Sequence, residues 1–303
     1  MSLFSRVVMA FTEARPVERT ITGTRPGKAL AGRFVAGDTL AEGVATARKL
    51  NEDGFLVSLD LLGEECHDRA TAVSARDEYV EGLNRIGAEN LEANISIKLT
   101  QLGLAFDESL AMALVDSLAD RAAEVDTTVT IDMEDSRYTE ATVRIYEKVQ
   151  SAQGNLGIAL QAYLHRTPSD LKRLMPLGGH IRLCKGAYLE DREVALTSKR
   201  DVDEAFASQL RELMGFDVVR PAVATHDAAL IDLTRELAGS RRAPFEFQML
   251  YGVRTGLQDE LIGAGYPVRV YLPFGSKWYP YLTRRLSERP SNAWFLLRSV
   301  FGG

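Results

Sequence analysis

The chain has few cysteines and histidines and no long apolar run. Two cysteines in 303 residues cannot form a disulfide framework, and they indicate a reducing compartment such as the cytoplasm. No stretch approaches the roughly 18 apolar residues of a membrane-spanning helix. The four histidines show no metal-ligand spacing, so no metal site is predicted. A net charge of −6, from 36 Lys plus Arg against 42 Asp plus Glu, argues against a nucleic-acid binder.

A secretory signal and a Pro-, Gly- or Ser-rich linker are also absent. Residues 1–15 have no small-residue cleavage site after an apolar core. Their apolar residues follow helical spacing instead, as do Trp294, Phe295, Leu297 and Val300 near the other end. Both terminal segments are expected to pack on the core. The alternative is that one of them contacts a membrane surface, which would make a cytoplasmic protein peripheral on the inner membrane.

Eight short runs rich in Val, Ile and Leu recur along the chain, and each ends in polar residues. These runs are 57–60, 95–98, 129–132, 158–161, 181–185, 222–226, 245–248 and 268–271. Segments with helical periodicity separate them, including 72–83, 110–123, 138–150 and 205–213. Strands that alternate with helices pair in parallel through right-handed crossovers. Eight such units predict an α/β fold, a (βα)8 TIM-type barrel.

The predicted chain is one domain, in which residues 1–54 form a helical N-terminal extension and residues 55–303 form the barrel. A doubly wound sheet is the alternative, but it usually has fewer strands and a glycine-rich first turn. The segment 263–265 lacks the third glycine of that turn, and 23–28 is too short for a phosphate loop. Both are interpreted as ordinary loops, which favours the barrel.

The strand ends are the place to look for chemistry, because barrels form their active sites at the C-terminal ends of the strands. These ends carry Asp60, Lys98, Asp132, Gln161, Arg182, Lys185, Thr225, His226, Gln248 and Tyr271. Strands also end in polar residues wherever they reach solvent. A complete set of this kind nevertheless indicates a large anionic ligand that accepts hydrogen bonds.

The fifth strand carries the first cluster of cations. Arg182 and Lys185 lie on either side of its end, and Gly186 follows directly. Small residues let backbone N–H groups approach a ligand closely. Two cations beside such groups could hold a pyrophosphate.

The last predicted helix, which would contribute to the substrate site, carries the second cluster. Tyr281, Arg284, Arg285 and Glu288 fall at i, i+3, i+4 and i+7 and therefore share one helix face. Adjacent guanidinium groups bind a carboxylate well, and Glu288 could orient them. Pro290 is expected to end this helix. An outer face exposed to solvent would show the same spacing.

The residues alone leave two other functions open. Lys98 and Lys185 at strand ends could form Schiff bases, as in barrel aldolases. The same barrel could also bind an amino acid without turning it over.

The ordered strand-end motifs resemble those of proline dehydrogenase, a family of flavin-dependent (βα)8 enzymes. The matching segments are 60–64 (DLLGE), 97–99 (IKL), 131–132 (ID), 161–163 (QAY), 182–188 (RLCKGAY), 224–227 (ATHD), 246–252 (EFQMLYG), 271–275 (YLPFG) and 281–288 (YLTRRLSE). The resemblance implies that FAD oxidises L-proline to Δ1-pyrroline-5-carboxylate and that a membrane quinone takes the electrons. It also implies a monofunctional bacterial type, with a separate pyrroline-5-carboxylate dehydrogenase acting downstream.

The resemblance further implies roles for individual residues. Lys98, Asp132 and Arg182 would be catalytic. The substrate would contact Lys98, Tyr271, Tyr281, Arg284, Arg285, Leu250 and Glu64, and Glu64 would pair with Arg284 as a gate. The cofactor would be held by Asp132, Gln161, Arg182, Lys185, Gly186, Ala187, Tyr188, Thr225, His226, Gln248 and Glu288.

Overall fold

A closed barrel of eight parallel strands forms the centre of the protein. The computed structural model describes residues 29, 31–63 and 65–288, and for residues 284–288 it describes the backbone only. Each strand pairs with the next in sequence, and the eighth pairs with the first. The strands are β1 Leu56–Leu61, β2 Ala93–Ile97, β3 Val129–Ile131, β4 Leu156–Gln161, β5 His180–Cys184, β6 Arg220–Ala224, β7 Glu246–Leu250 and β8 Val268–Phe274. The eight predicted strands are confirmed, and the doubly wound alternative is wrong.

Helices connect consecutive strands and cover the outside of the barrel. Helix α1 is Leu40–Glu52, before β1, and α2 to α8 are Arg69–Ala88, Glu108–Glu124, Ser136–Gln153, Thr167–Leu174, Lys199–Met214, Ala228–Ala238 and Thr255–Gly263. Helix α9, Tyr279–Glu288, follows β8. Aspartates start several of them, because the side chains of Asp68, Asp107 and Asp227 accept hydrogen bonds from backbone N–H groups of the first turn.

The strands have an apolar outer face and a polar inner face. Ile95 and Ile97 of β2 belong to the apolar core that the strands form with the helices. The alternate residue Asn94 bonds to Ser58 of β1 and to Thr130 of β3, with 3.2 Å from its Nδ2 to Thr130 Oγ1. Barrel interiors are usually filled by branched apolar side chains. Here hydrogen-bonded polar side chains take that place, so the interior can accommodate a polar ligand.

A small second core seats helix α9 against the barrel. Phe34, Trp278, Tyr281 and Leu282 are buried together in it. The segment before α1 also approaches the β7–α8 loop so closely that a Cβ on Gly252, at φ +69°, would lie 1.6 Å from the carbonyl oxygen of Arg33. Only glycine fits at that point. These contacts place Tyr281 at the end of the barrel where the strands terminate.

In the part of the chain that the structure describes, no helix has the length and apolar character to cross a membrane. The two amphipathic terminal segments predicted from the sequence, and the proposed gate residue Glu64, lie outside the described residues.

Candidate active site

A cavity of about 740 Å³ opens at the C-terminal ends of the strands. Its volume suits a cofactor or substrate, since ligand pockets measure about 300–1,000 Å³. The predicted site residues that line it are Lys98, Asp132, Arg182, Lys185, Gly186, Ala187, Tyr188, Thr225, His226, Gln248, Leu250, Tyr271 and Tyr281. The strand ends therefore converge on one site, as the sequence analysis expected.

The other predicted residues have different positions. Gln161 is not among the lining residues, but its Oε1 accepts a hydrogen bond from the backbone N–H of Ala187 at 3.1 Å. Gln161 therefore fixes the loop after β5 through a hydrogen bond without lining the cavity itself. Positions 284, 285 and 288 belong to α9, one and two turns after Tyr281, and the structure does not describe their side chains.

Asp132 lies at the centre of a hydrogen-bond network in the cavity. Its Oδ1 accepts from Ser96 Oγ at 2.7 Å and from the guanidinium of Arg182. Its Oδ2 accepts from Tyr271 Oη at 2.7 Å and from Lys98 Nζ at 3.2 Å. Burial raises the pKa of Asp132, but the charges of Lys98 and Arg182 outweigh it and leave the pKa below its ordinary value. The carboxylate is therefore ionised at neutral pH.

Lys98 joins Asp132 to a second carboxylate, that of the buried Asp60. Burial would lower the pKa of Lys98, but the negative charge of Asp60, with further contributions from Tyr271 and Asp132, raises it well above its usual value. Lys98 is therefore a stable ammonium group. A Schiff-base lysine attacks as the neutral amine, which requires a lowered pKa. The environment of Lys98 thus disfavours the lyase hypothesis at this position.

Arg182 offers one hydrogen-bond donor to a ligand. Its Nε donates to Gln248 Oε1 at 2.5 Å, and its Nη1 donates to Ser96 and Asp132. Its Nη2 is buried and has no hydrogen-bond partner among the described residues. Because an unpaired buried cationic donor is costly, a ligand acceptor at this point would stabilise the site.

Lys185 has a different environment from the one expected of a pyrophosphate clamp. It lines the cavity, but its ammonium forms ion pairs with Asp203 and Asp227, at 2.9 Å to Asp227 Oδ2. The hydrogen bond from Lys185, together with other charges, lowers the pKa of Asp227. A bound phosphate would therefore have to share Lys185 with these two carboxylates.

The neighbouring loops are held by their own side chains. The ring Nε2 of His226 accepts a hydrogen bond from the backbone N–H of Leu250 at 3.1 Å, which joins the ends of β6 and β7. Thr225 Oγ1 accepts from the N–H of Asp227 at 3.1 Å. Both residues line the cavity and also fix its shape.

Several contributors to the site were not predicted from the sequence. Asp60 is recognisable from the sequence as a strand end, but its pairing with Lys98 is not. Ser96 lies two residues before Lys98, and Glu246 lies two before Gln248, so the two-residue period of a strand could have placed both on the inner face. Cys184 also lines the cavity, and burial raises its pKa to about 11, which keeps it a neutral thiol.

Comparison with known proteins identifies the family of the chain. The model of the family described as proline dehydrogenase matches residues 43–298. Proline dehydrogenase 1 of Bacillus subtilis subsp. natto is 40% identical over 282 residues, which cover 92% of each chain. The proline dehydrogenase of Deinococcus radiodurans is 35% identical over 283 residues, covering 90% of this chain and 91% of that one.

A solved structure adds a comparison of the fold. Proline utilization A from Bdellovibrio bacteriovorus matches with a TM-score of 0.82 at 22% identity, covering 91% of this chain and 34% of that longer one. At that identity the likeness concerns the barrel alone. The family match and the full-length relatives carry the further conclusion: the chain belongs to the proline dehydrogenase family.

Proposed function

We propose that the enzyme oxidises L-proline to Δ1-pyrroline-5-carboxylate with bound FAD and passes the electrons to a membrane quinone. The observation that carries this proposal is the network of Lys98, Asp132, Arg182 and Tyr271 in the lining of a cavity of cofactor size. The names of the full-length relatives support proline as the substrate.

The cavity suits a flavin dinucleotide in three respects. The free Nη2 of Arg182 offers a donor to an acceptor atom of the flavin ring. Gly186, at φ +126°, brings the backbone against the ring of Tyr163, where a Cβ would lie 2.3 Å from the nearest ring carbon. Lys185 lines the cavity beside that loop, and the pyrophosphate would share its ammonium with Asp203 and Asp227. Ala187, Tyr188, Thr225, His226 and Gln248 would complete the cofactor site, with Gln161 behind the loop.

FAD would supply the two-electron acceptor for the ring carbon next to the proline nitrogen. The protein contributes position and charge. Lys98 stays protonated and would bind the substrate carboxylate together with Arg284 and Arg285, while Tyr271, Tyr281 and Leu250 would enclose the ring. Asp132 holds Lys98, Arg182 and Tyr271 in one fixed arrangement, and such orientation accounts for much of an enzyme's rate.

The electron acceptor determines where in the cell the reaction takes place. A quinone dissolved in a bilayer can meet the flavin only at the membrane surface, so we propose a cytoplasmic enzyme that associates peripherally with the inner membrane. Proline catabolism to glutamate would then continue on a separate pyrroline-5-carboxylate dehydrogenase.

The absorption spectrum of the purified protein tests the cofactor assignment. We expect a yellow protein with flavin absorption bands that catalyses proline-dependent reduction of a soluble quinone. A colourless protein that also fails to bind added FAD would exclude the proposal. Borohydride trapping of a carbonyl substrate on Lys98 or Lys185 would favour the lyase instead, and proline binding without turnover would favour a binding protein.

Gly186→Ala is expected to weaken FAD binding about tenfold, because the new Cβ requires both a disfavoured φ and movement of Tyr163. Gly154→Ala is the matched control, since Gly154 also has a positive φ, +76°, but nothing lies within 4 Å of a Cβ there. FAD titration followed by protein fluorescence measures both variants. Equal FAD affinity in the two variants would show that the Gly186 loop does not hold the cofactor.

Arg284→Met and Arg285→Met are each expected to raise the KM for proline about tenfold or more while FAD stays bound, since a charge-assisted hydrogen bond contributes about 1.5–3 kcal/mol. The exposed Arg200 on α6, changed to Met, serves as the control. Steady-state kinetics with bound-FAD content measures the effect. If KM is unchanged in both variants, these arginines do not bind the carboxylate.

A further inference from the structure

Below the cavity, a chain of hydrogen bonds runs from Arg182 down the barrel interior to Glu246. Gln248 is the link, because its Oε1 accepts from Arg182 Nε at 2.5 Å and its Nε2 donates to Glu246 Oε1 at 2.7 Å. Gln248 and Glu246 are two residues apart on β7 and therefore share the inner face. Arg182, Gln248 and Glu246 are only 5%, 3% and 0% exposed, so protein groups supply these bonds rather than solvent.

Glu246 is a carboxylate held by two arginines and a histidine at the lower end of the barrel. Arg269 donates to both of its oxygens, at 2.6 Å from Nε and 3.2 Å from Nη2. Arg220 Nη2 lies 3.1 Å from Oε2, and His180 Nε2 lies 3.2 Å from Oε1. Burial raises the pKa of Glu246, but the charge of Arg269 outweighs it and holds the pKa well below its ordinary value. Glu246 is therefore ionised and can only accept hydrogen bonds.

An acceptor of this kind determines which way the amide of Gln248 points. The amide must turn its NH2 group toward Glu246, so its oxygen faces Arg182. The reversed amide would place its NH2 group against Arg182 Nε–H and its oxygen against the carboxylate, and both contacts would be repulsive. With the oxygen in place, Nε and Nη1 of Arg182 are both bonded, and Nη2 is the donor left without a partner among the residues that the structure describes.

We propose that Glu246 is a positioning residue of the active site, which acts through Gln248 to hold Arg182 in the orientation that binds the ligand. Glu246 is not among the residues that line the cavity, so it does not touch the ligand itself. The inference rests on the proposed function, since the ligand that Arg182 meets is there the flavin. Among the described residues, Glu246 is the group besides Arg182 itself that fixes the Gln248 amide.

A purely structural role for Glu246 is the competing explanation. As the counter-ion of the buried Arg269, it would stabilise the barrel without affecting the chemistry. The two explanations differ in one respect. A counter-ion role predicts effects that are independent of Gln248, whereas a positioning role predicts effects that disappear when Gln248 can no longer transmit them.

The test compares the holoenzyme with Glu246→Gln, Gln248→Met and the double variant. A glutamine at 246 can present either an oxygen or an NH2 group, so the amide of Gln248 is then oriented by Arg182 alone and is held less firmly. We expect kcat for proline to fall about tenfold in Glu246→Gln, with KM within twofold of wild type, because small misplacements of catalytic groups lower the rate strongly. The flavin reduction potential should become more negative as the Arg182 cation moves. Adding Glu246→Gln to Gln248→Met should change neither kcat nor the potential further.

Arg220→Gln is the matched control, because it removes a contact on the side of Glu246 away from Gln248. It should leave kcat within twofold of wild type and should leave the flavin reduction potential unchanged within the error of the measurement. The inference is overturned if Arg220→Gln has the same effect as Glu246→Gln, if the effects of Glu246→Gln and Gln248→Met add, or if Glu246→Gln keeps wild-type kcat and potential.

A replacement variant and the behaviour of the wild-type protein keep the test decisive. If Glu246→Gln does not fold because Arg269 is left unpaired, Glu246→Gln with Arg269→Gln replaces it, and the same kcat and potential changes are required. A wild-type protein that binds no FAD would overturn the proposed function and this inference with it. A wild-type protein that proline reduces normally, beside an unaffected Glu246→Gln variant, would overturn this inference alone.

Discussion

Lys98→Met should lower kcat/KM for proline about 100-fold, which corresponds to roughly 2.7 kcal/mol of lost transition-state stabilisation. The three donors of the ammonium face Asp60, Asp132 and Tyr271, the last at 3.5 Å from Nζ to Oη. We expect the substrate carboxylate to replace this longest contact. Methionine keeps an unbranched side chain as far as the ε position but removes the ammonium, so the substrate loses an ionic partner.

The same change alters the charge of the cavity floor. Without the ammonium, the carboxylates of Asp60 and Asp132 have no cation between them, and two neighbouring buried carboxylates cannot both stay ionised. Lys172→Met, an exposed change on α5, is the control and should leave kcat/KM within twofold. Steady-state kinetics with flavin content measures both variants. Wild-type kcat/KM in a flavin-loaded Lys98→Met protein would remove Lys98 from the mechanism.

Asp132→Asn should destabilise the protein by about 3 kcal/mol and lower kcat about 100-fold. All four contacts to this carboxylate are donors, from Ser96, Lys98, Arg182 and Tyr271. The amide of an asparagine must turn its NH2 group toward two of them, and it leaves two buried cations without their shared counter-ion. Thermal unfolding should show a Tm about 5–10 °C lower.

The pH dependence of the stability distinguishes the loss of the Asp132 charge from a general packing defect. The pKa of Asp132 is lowered by folding, so its contribution to stability is present above the unfolded carboxyl pKa of about 3.9 and is lost as pH falls through the lower folded value. The stability difference between wild type and Asp132→Asn should therefore be constant from about pH 5 to 7 and should narrow below about pH 4. Asp232→Asn, exposed on α7, should change stability by less than about 0.5 kcal/mol at every pH. A difference that persists unchanged at pH 3 would contradict the assigned role of the Asp132 charge.

The barrel and most of the cavity lining could be predicted from the sequence because both follow from short-range patterns. An apolar run of four or five residues ending in a polar residue marks one strand and its C-terminal end. The fold then brings all the ends to one side, so Lys98, Arg182 and Gln248 meet although they are distant in sequence. The helical spacing after Tyr281 likewise predicted α9.

The pairing of charges could not be predicted in this way. The sequence suggested a cluster of cations at the cavity, but Lys98 pairs with Asp60, and Lys185 pairs with Asp203 and Asp227. Asp203 comes from helix α6, whose contact with the end of β5 depends on how the helix packs. Glu246 was overlooked for a related reason, since a polar residue at the start of a strand is usually taken to face solvent.

The central claim, a flavin site that accepts electrons from proline, is tested most directly by anaerobic titration of the purified holoenzyme with L-proline. We predict that the flavin absorption bleaches on addition of L-proline and returns when a soluble quinone is added. A yellow protein whose spectrum does not change at saturating L-proline, while dithionite still reduces it, would contradict the account.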